Sequence, residues 1–349
     1  SIHPSIHPSI HPSIHTMASA SSALTIEGLQ TFLARSKRLS IDPALDLSRT
    51  LLVLGNESGD VDSIVASIVT AFASSELDRL PSDRVAFIPV LNLKREDLAL
   101  RPETLHLFDM LGIAAAELVF VDEFATVFGS SSSAEALAGL QVVLVDHNQL
   151  IASQLHLAPF VTLVLDHHAR QECPDDAAQL PNARRLVIET VGSACTLVAE
   201  YACQLLPSTS AAVFDSGIAT LLLAAILLDT FNLDAKAKRA TEKDHSYGRL
   251  LGAVLASSEN PTDIEAAHKR LFLQLQHAKE QIDHLSSRDL LRKDYKEWRT
   301  LSFGIASVPC SLESWKTRDT ALNTALVAYA QERHLEVNRS RLTLPTARH

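Results

Sequence analysis

The stretch LLVLGNESGDVDSIVASIV, residues 51–69, is the most informative part of the sequence about the fold. Its first half is rich in leucine and valine and is typical of a buried β-strand, whereas the apolar spacing of its second half predicts a helix. Between the two halves Gly55 predicts a sharp turn, and Asp60 and Asp62 stand one residue apart where the helix starts. A strand that enters a helix through a tight turn places such acids at the carboxyl end of a sheet. Open α/β folds build their sites at that edge.

The composition is that of an ordinary globular protein with a sizeable core. The chain has 349 residues, 46% of them hydrophobic, and its net charge of -10 gives no basic footprint for a nucleic acid. The longest apolar run, residues 218–228, is too short to cross a bilayer and predicts a core helix. The cysteines form no C-x-x-C pair, which is typical of buried free thiols in a reducing compartment. We therefore expect a cytoplasmic protein with no nucleic-acid partner and no membrane partner.

Residues 1–16 repeat the tetrapeptide Ser-Ile-His-Pro, and proline at every fourth position excludes a helix. Such a segment is either a disordered N-terminal extension, which we place at residues 1–23, or a histidine-rich metal-binding tail. A charged segment followed by an apolar one is missing, so the sequence predicts no signal peptide.

Short apolar strands alternate with helical patterns over the first two thirds of the sequence, which predicts an α/β fold with a mostly parallel, doubly wound sheet. After the first strand, the predicted strands are residues 84–92, 118–124, 142–148, 161–168 and 184–192. A polar helix at 262–284 is interpreted as a bridge to a second, smaller α/β domain. The predicted parts after the N-terminal extension are a first domain at 24–258, a helical linker at 259–286 and an incomplete second domain at 287–349.

Three predicted strands end in acidic or imidazole side chains. The residues concerned are Asp60, Asp62, Asp146, His147, Asp166, His167 and His168. A single aspartate at a strand end is more often a helix cap or a turn residue. Parallel strands, however, lie about 4.8 Å apart, so that these ends converge on one patch. Crowded carboxylates repel one another and cations relieve that repulsion, so the pattern indicates a site for two divalent cations.

Asp229 adds a further acid at the end of the apolar helix in ILLDTFN. A buried carboxylate is costly without a cation or a strong hydrogen-bond partner, although capping of the next turn also accounts for an aspartate here. Because the candidate ligands are rich in oxygen and contain few imidazoles, we expect Mn²⁺ or Mg²⁺, with Co²⁺ as an alternative, rather than structural zinc.

The motifs GNESGDVDS, LVDHN, LDHH, ETVGSACTLV and AAILLDTFNL, in this order, resemble those of the DHH phosphoesterase superfamily. The resemblance is greatest to its eukaryotic cytosolic exopolyphosphatase and prune branch. It extends over residues 51–298 and includes IPVLNLKREDLALR, TEKD and DLLRKDYKEW. Five ordered motifs are specific where a single D-H-H would be weak.

This resemblance implies an enzyme that uses two metal ions to hydrolyse the terminal phosphoanhydride bonds of inorganic polyphosphate and release orthophosphate. Two alternatives stay open. One is a prune-like or pyrophosphatase-like hydrolase of short polyphosphates or nucleotides, and the other is a metal- or phosphate-binding protein with little turnover. Related pyrophosphatases begin the first motif with Gly-His, whereas Asn56 follows Gly55 here, and this favours polyphosphate as the substrate.

The resemblance also implies a role for each matching residue. The metal ligands would be Asp60, Asp62, Asp146, His167 and Asp229, of which Asp146 and Asp229 bridge the two ions. The catalytic residues would be His168, which faces the substrate as electrophile or general acid, Asp146, and Asp166, which orients the histidine pair. The substrate-binding residues would be Asn56, His147, His168, Ser193 and Lys296. Ser193 can equally be a plain helix cap, and Lys296 a solvated helix lysine.

In the resembled family the second domain continues past the helix that matches ALNTALVAYAQERHLEV and adds strands and a basic segment. Here Val337 is followed by the polar end NRSRLTLPTARH. We therefore expect a weakened enzyme with near-normal metal binding, poor affinity for polyphosphate and early proteolysis after about residue 285. Arg339, Arg341 and Arg348 offer a substitute basic clamp or form a disordered tail.

Overall fold

The computed structural model describes residues 23–77, 86–129, 135–170, 180–206, 213–258, 263–293, 295–298 and 303–335. The Ser-Ile-His-Pro repeats and the predicted basic tail after residue 335 lie outside the described residues.

The described residues form helices and strands in the alternation that the sequence predicts. The helices are α1 (Ile26–Ser40), α2 (Val61–Leu77), α3 (Pro102–Met110), α4 (Ala125–Phe128), α5 (Ala194–Leu205), α6 (Ser216–Asp229), α7 (Glu242–Ser258), α8 (Ile264–Glu280), α9 (Ser287–Lys293), α10 (Leu312–Arg318) and α11 (Leu322–Glu332). The strands are β1 (Thr50–Leu54), β2 (Ala86–Leu91), β3 (Val119–Phe120), β4 (Gln141–Val145), β5 (Val161–Asp166), β6 (Arg185–Ile188), β7 (Tyr295–Trp298) and β8 (Phe303–Ala306).

Six strands form one parallel sheet in the order β3-β2-β1-β4-β5-β6. This order confirms the predicted doubly wound α/β fold. The chain builds outward from β1 in one direction, then returns to place β4 on the other side of β1. Such a reversal leaves a crevice at the carboxyl ends of the two central strands. The acids that follow β1 and β4 therefore share one crevice.

Both faces of the central strand β1 are covered, which explains its continuous apolar sequence. Leu51 and Val53 belong to one hydrophobic cluster, and Leu52 and Leu54 belong to another on the opposite face, because successive strand side chains point to opposite faces. The predicted core helix is confirmed in α6, where every residue from 218 to 227 is buried. In the described ranges no helix combines the length and the apolar character that crossing a membrane requires.

The second, smaller unit pairs β7 with β8 in antiparallel fashion. Its apolar cluster surrounds Trp315, which is 1% exposed, and includes Leu100 from the first unit. Helix α8 lies in the segment predicted as a linker, and its Ala267 and Leu271 belong to the core of the first unit. The helix is thus part of that core and also leads toward the second unit.

Candidate metal centre

The first strand delivers two acids with different surroundings. Asp60 is exposed, and its Oδ1 accepts a hydrogen bond of 3.0 Å from the amide of Ser63 in the first turn of α2. Asp62 is buried and accepts three hydrogen bonds from the start of α5, at 2.6 Å from Ser193 Oγ, 2.7 Å from the Ala194 amide and 2.9 Å from the Cys195 amide. The N-terminus of a helix favours a negative charge. Helix α5 therefore fixes and stabilises the Asp62 carboxylate.

Asp146 follows β4 in a left-handed conformation, with φ of 64°. This region is uncommon for a residue other than glycine and, when strained, is concentrated at functional sites. The amide of Asp146 donates to Leu165 O at 2.9 Å, and its carbonyl accepts from Asn56 Nδ2 at 2.9 Å. These bonds on both sides hold the backbone in that conformation, and the residue is only 2% exposed.

His167, which follows β5, is oriented for metal ligation. Its Nδ1 lies 3.1 Å from the carbonyl oxygen of Val191, and because a carbonyl only accepts, Nδ1 carries the proton. Its Nε2 is therefore the atom that can bind a cation, and it lies 3.1 Å from Asp146 Oδ1 and 3.8 Å from Asp62 Oδ2. A hydrogen bond on the far nitrogen is the usual support of a metal-bound histidine.

The electrostatics around Asp146 are those of crowded acids. Burial, followed by the charges of Asp62 and Asp60, raises the pKa of Asp146 to about 7. Burial acts to lower the pKa of His167, but the hydrogen bond with Asp146 and the charge of Asp62 outweigh it and raise the pKa to about 9. A proton on this pair does part of what a cation would do, since both relieve the repulsion between carboxylates.

His168 has a different environment from its neighbour. Its Nδ1 lies 2.8 Å from Asp166 Oδ1, and its side chain is 50% exposed. Asp166 is fully buried and also accepts from the side-chain amide of Asn148. The hydrogen bond from His168 lowers the pKa of Asp166 against the effect of burial, and the same bond raises the pKa of His168. Asp166 thus orients an accessible imidazole that borders the metal centre.

The chemistry of the donor set fits divalent cations. Asp146, His167 and His168 each offer a ligand atom within 4.8 Å of the others. The Oδ2 atom of Asp229, at the end of α6, is buried and has no hydrogen-bond partner in the described part of the chain. Burial, together with the nearby Asp62 and Asp60, raises the pKa of Asp229 well above its usual range. A cation would satisfy that carboxylate oxygen.

Two residues predicted to bind substrate are engaged within the protein. Ser193 is fully buried, and its hydroxyl and the following amides all donate to Asp62, so these donors hold a carboxylate rather than face a phosphate. Asn56 donates from Nδ2 to Asp146 O and accepts at Oδ1 from the amide of Ser58 at 3.0 Å. Both side chains therefore support the acids, which is a positioning role.

Besides His168, described above, two predicted substrate residues remain, His147 and Lys296, and the structure gives fewer contacts for them. The Nδ1 atom of His147 lies 2.9 Å from Val145 O, and its Nε2 is buried without a hydrogen-bond partner among the described residues. Burial lowers the pKa of His147. Lys296 lies on β7 opposite Ile305, but its side chain is outside the described part of the structure.

Arg101 is a contributor that our reading of the sequence does not assign. Its guanidinium donates to Gly59 O at 3.0 Å, to Ser58 O, and to Lys293 O at 2.7 Å. The first two carbonyls belong to the loop that carries Asp60, and the third ends α9 in the second unit. Arg101 is the last residue of the motif LALR, which the sequence comparison includes. No local pattern, however, shows that the partners of this arginine are backbone carbonyls far away in the sequence.

Comparison with known proteins agrees with this geometry. The family model described as DHH family, N-terminal domain, matches residues 50–226, and that of the DHHA2 domain matches residues 273–338. The chain is 34% identical over 294 residues to the Rattus norvegicus protein named Exopolyphosphatase PRUNE1, covering 83% of this chain and 59% of the relative. The Homo sapiens protein of the same name is 33% identical over 298 residues, 84% of this chain and 60% of the relative.

The chain thus spans about three fifths of the length of these relatives. The matched ranges contain the six-stranded parallel sheet and the paired strands of the second unit. Asp60, Asp62, Asp146 and His167, which converge on the central crevice, all lie within the first matched range. On this evidence the chain belongs to the DHH family.

Proposed function

We propose that this protein is a metal-dependent exopolyphosphatase that hydrolyses terminal phosphoanhydride bonds of inorganic polyphosphate and releases orthophosphate. The observation that carries the proposal is the convergence of Asp146 and His167 beside the unpartnered oxygen of Asp229, with the imidazole of His168 at the edge of the same group. The PRUNE1 relatives, which are named exopolyphosphatases, support the choice of substrate class.

In this proposal two divalent cations, Mn²⁺ or Mg²⁺, are held by five ligands: Asp60, Asp62, Asp146, His167 and Asp229. When bound, such cations neutralise phosphoryl charge and activate a water molecule for in-line attack. The Asp62 carboxylate is held in place by hydrogen bonds from the start of α5, and the left-handed backbone conformation of Asp146 orients its side chain. Ligands held in this way lose little freedom when a cation binds, so less binding free energy is spent on ordering them.

His168 is the residue that we assign to the substrate. Its accessible imidazole accompanies the more buried His167, and Asp166 holds its Nδ1 proton. A proton held on His168 gives a positive charge next to the phosphoryl group, or a proton for the leaving phosphate oxygen. The hydrogen bond with Asp166 raises the pKa of His168, which favours that protonated form.

The environment of Asn56 supports a polyphosphate substrate over pyrophosphate. Its side-chain amide is used to hold the Asp146 carbonyl, so this position supplies no imidazole to the metal centre. Lys296, on the second unit, is proposed to reach the phosphate chain. We also propose a cytoplasmic location, which the free thiols of Cys195 and Cys310 support.

The test is a set of parallel orthophosphate-release assays on long polyphosphate, tripolyphosphate, pyrophosphate and a cyclic nucleotide, each with Mn²⁺, Mg²⁺ or Co²⁺. We expect turnover of the two longer substrates and little release from pyrophosphate. Asp109→Asn is the matched control for variants of the centre such as Asp146→Asn, because Asp109 is exposed on α3 and the change removes one carboxylate away from the centre. Preferential turnover of pyrophosphate or the nucleotide would favour the alternative hydrolases, and metal binding without turnover would favour a binding protein.

A further inference from the structure

Asp244 is a fully buried carboxylate outside the proposed metal centre. Its Oδ2 accepts hydrogen bonds from the Gly192 amide at 2.8 Å, the Thr241 amide at 2.7 Å and Thr241 Oγ1 at 2.7 Å. Its Oδ1 accepts from Thr196 Oγ1 at 2.6 Å. Four donors from three separate places in the sequence therefore converge on one side chain.

Capping of α7 explains only part of this arrangement. Thr241 precedes the helix and Asp244 stands three residues later, and their reciprocal hydrogen bonds form a capping box. A capping box is complete with those two residues. The bonds to Gly192 and Thr196 go beyond it, since they tie the start of α7 to the turn that precedes α5 and to the first turn of α5.

The turn at residues 191–193 contacts the surroundings of three proposed metal ligands. The Val191 carbonyl accepts from His167 Nδ1, and Ser193 Oγ donates to Asp62 Oδ1. Gly192 lies against Thr230, the residue after Asp229. A Cβ on Gly192 would come within 2.4 Å of Thr230 Cγ2 and 3.1 Å of Arg239 O. The centre of the turn therefore has room only for glycine. This close packing against Thr230 fixes the turn relative to the end of α6.

We propose that Asp244 is a positioning residue for the metal centre, which acts by fixing the turn at residues 191–193. This inference rests on the metal centre put forward under the proposed function. Within the described part of the chain, Asp244 makes no hydrogen bond or ion pair with a proposed metal ligand; its side chain contacts Gly192, Thr196 and Thr241. It acts through the Val191 carbonyl, which sets the ring of His167, and through the start of α5, which holds Asp62. Outer-shell partners of this kind change metal affinity by about 10–100-fold when they are removed.

The discriminating pair of variants is Asp244→Ala and Asp244→Asn. An asparagine can place its oxygen where Oδ2 lies and direct its amide nitrogen at Thr196 Oγ1, which keeps all four contacts, whereas alanine keeps none. Isothermal titration of each folded protein with Mn²⁺ alone measures the effect without reference to turnover. We expect Asp244→Ala to weaken Mn²⁺ binding at least about tenfold, and Asp244→Asn to stay within about threefold of the wild type.

Thr241→Val is the matched control, because it removes the two hydrogen bonds of Thr241 Oγ1, both of which lie on the α7 side of Asp244. We expect it to lower the melting temperature and to leave Mn²⁺ affinity unchanged. Should Asp244→Ala fail to fold, Thr196→Val and Gly192→Ala decide the question. The first removes the hydroxyl that donates to Oδ1, and the second pushes the turn away from Thr230. Weakened Mn²⁺ binding in these folded variants supports the proposal.

Two results overturn the proposal. One is Mn²⁺ affinity within about threefold of wild type in Asp244→Ala, or in both substitute variants, because the turn would then not set the ligands. The other is equal weakening in Asp244→Ala and Asp244→Asn, since charge rather than geometry would then be the cause. If the wild-type protein itself binds no Mn²⁺, the proposed metal centre fails, and that outcome is distinct from either result.

Discussion

Oδ1 of Asp146 lies 3.1 Å from Nε2 of His167, although the two residues follow different strands. Strands β4 and β5 are parallel neighbours, so their carboxyl ends present these side chains to the same crevice. The left-handed backbone of Asp146 completes the approach. These two atoms share a proton in the metal-free protein, and in the proposed metal centre both would be ligands. Metal ions and protons are therefore expected to compete here.

Replacing the two adjacent histidines is expected to affect different properties, namely Mn²⁺ affinity for His167 and turnover for His168. His167→Asn removes the Nε2 that lies between Asp146 and Asp62, and we expect a large loss of Mn²⁺ affinity. His168→Asn removes the accessible ring held by Asp166. We expect turnover to fall by about a hundredfold or more with Mn²⁺ affinity nearly unchanged.

Metal titration of both variants, together with kcat and KM on polyphosphate, tests this division. His156→Asn is a matched control, since His156 contacts the carbonyl of Val127 away from the crevice. Equal losses of Mn²⁺ from His167→Asn and His168→Asn would show that both rings bind metal and that the assigned roles are wrong.

The stability of the metal-free protein is expected to fall as pH rises from 7 to 9. The pKa of His167 is raised from 6.5 to about 9, so its stabilising contribution is full below pH 6.5 and is lost as pH rises through the folded value. The pKa of Asp146, raised from 3.8 to about 7, also makes stability fall as pH rises, but it does so mainly below pH 7, where the folded state keeps a proton that the unfolded chain has lost. The lowered pKa values of His147 and His268 affect stability at pH values below this range.

Melting temperatures of chelator-treated protein across pH 7 to 9 measure this effect. Mn²⁺ is expected to raise the melting temperature more at pH 8.5 than at pH 7, because fewer protons must leave the ligands. In His167→Asn the decline should be shallower. A melting temperature that rises over this range without metal would contradict the assigned coupling.

Arg101 is expected to couple the second unit to the loop of Asp60. Hydrogen bonds from a charged donor are worth about 1.5–3 kcal/mol, so Arg101→Gln should open the contact with α9 about tenfold more often. Limited proteolysis should then cleave the second unit correspondingly faster. Arg288→Gln is the control, because it removes an exposed ion pair with Glu332 inside the second unit and leaves the contact between Arg101 and α9 in place. Equal cleavage of wild type and Arg101→Gln would show that Arg101 does not anchor α9.

The sheet and the convergence of acids could be predicted because they depend on local patterns. The apolar run before Gly55 and the acids after it define a strand end, and the same pattern recurs at Asp146 and Asp166. Parallel pairing then brings those ends together without further information. The order of the strands confirms this part of the interpretation.

The partners of individual polar groups could not be predicted in the same way. Ser193 has the sequence pattern of a helix cap, but its hydroxyl also holds Asp62, which lies 131 positions away in the sequence. Asn56 follows a strand at the edge where substrate-binding residues are expected, but its side chain donates a hydrogen bond to the backbone carbonyl of Asp146. The strand β7 was missed because its four residues, YKEW, alternate too briefly to be distinguished from the helix before them. These features depend on tertiary contacts.

The most direct test of the account is the rate of orthophosphate release from long polyphosphate by Asp146→Asn, measured beside wild type and Asp109→Asn at saturating Mn²⁺. The amide of asparagine cannot replace the charge of the carboxylate that faces His167 and the acids of the crevice. We predict Mn²⁺-dependent release by wild type and Asp109→Asn, abolished by chelation, and a rate at least about a hundredfold lower in Asp146→Asn. Release by wild type that persists undiminished in chelator, or an Asp146→Asn rate equal to that of wild type, would contradict the metal-dependent mechanism.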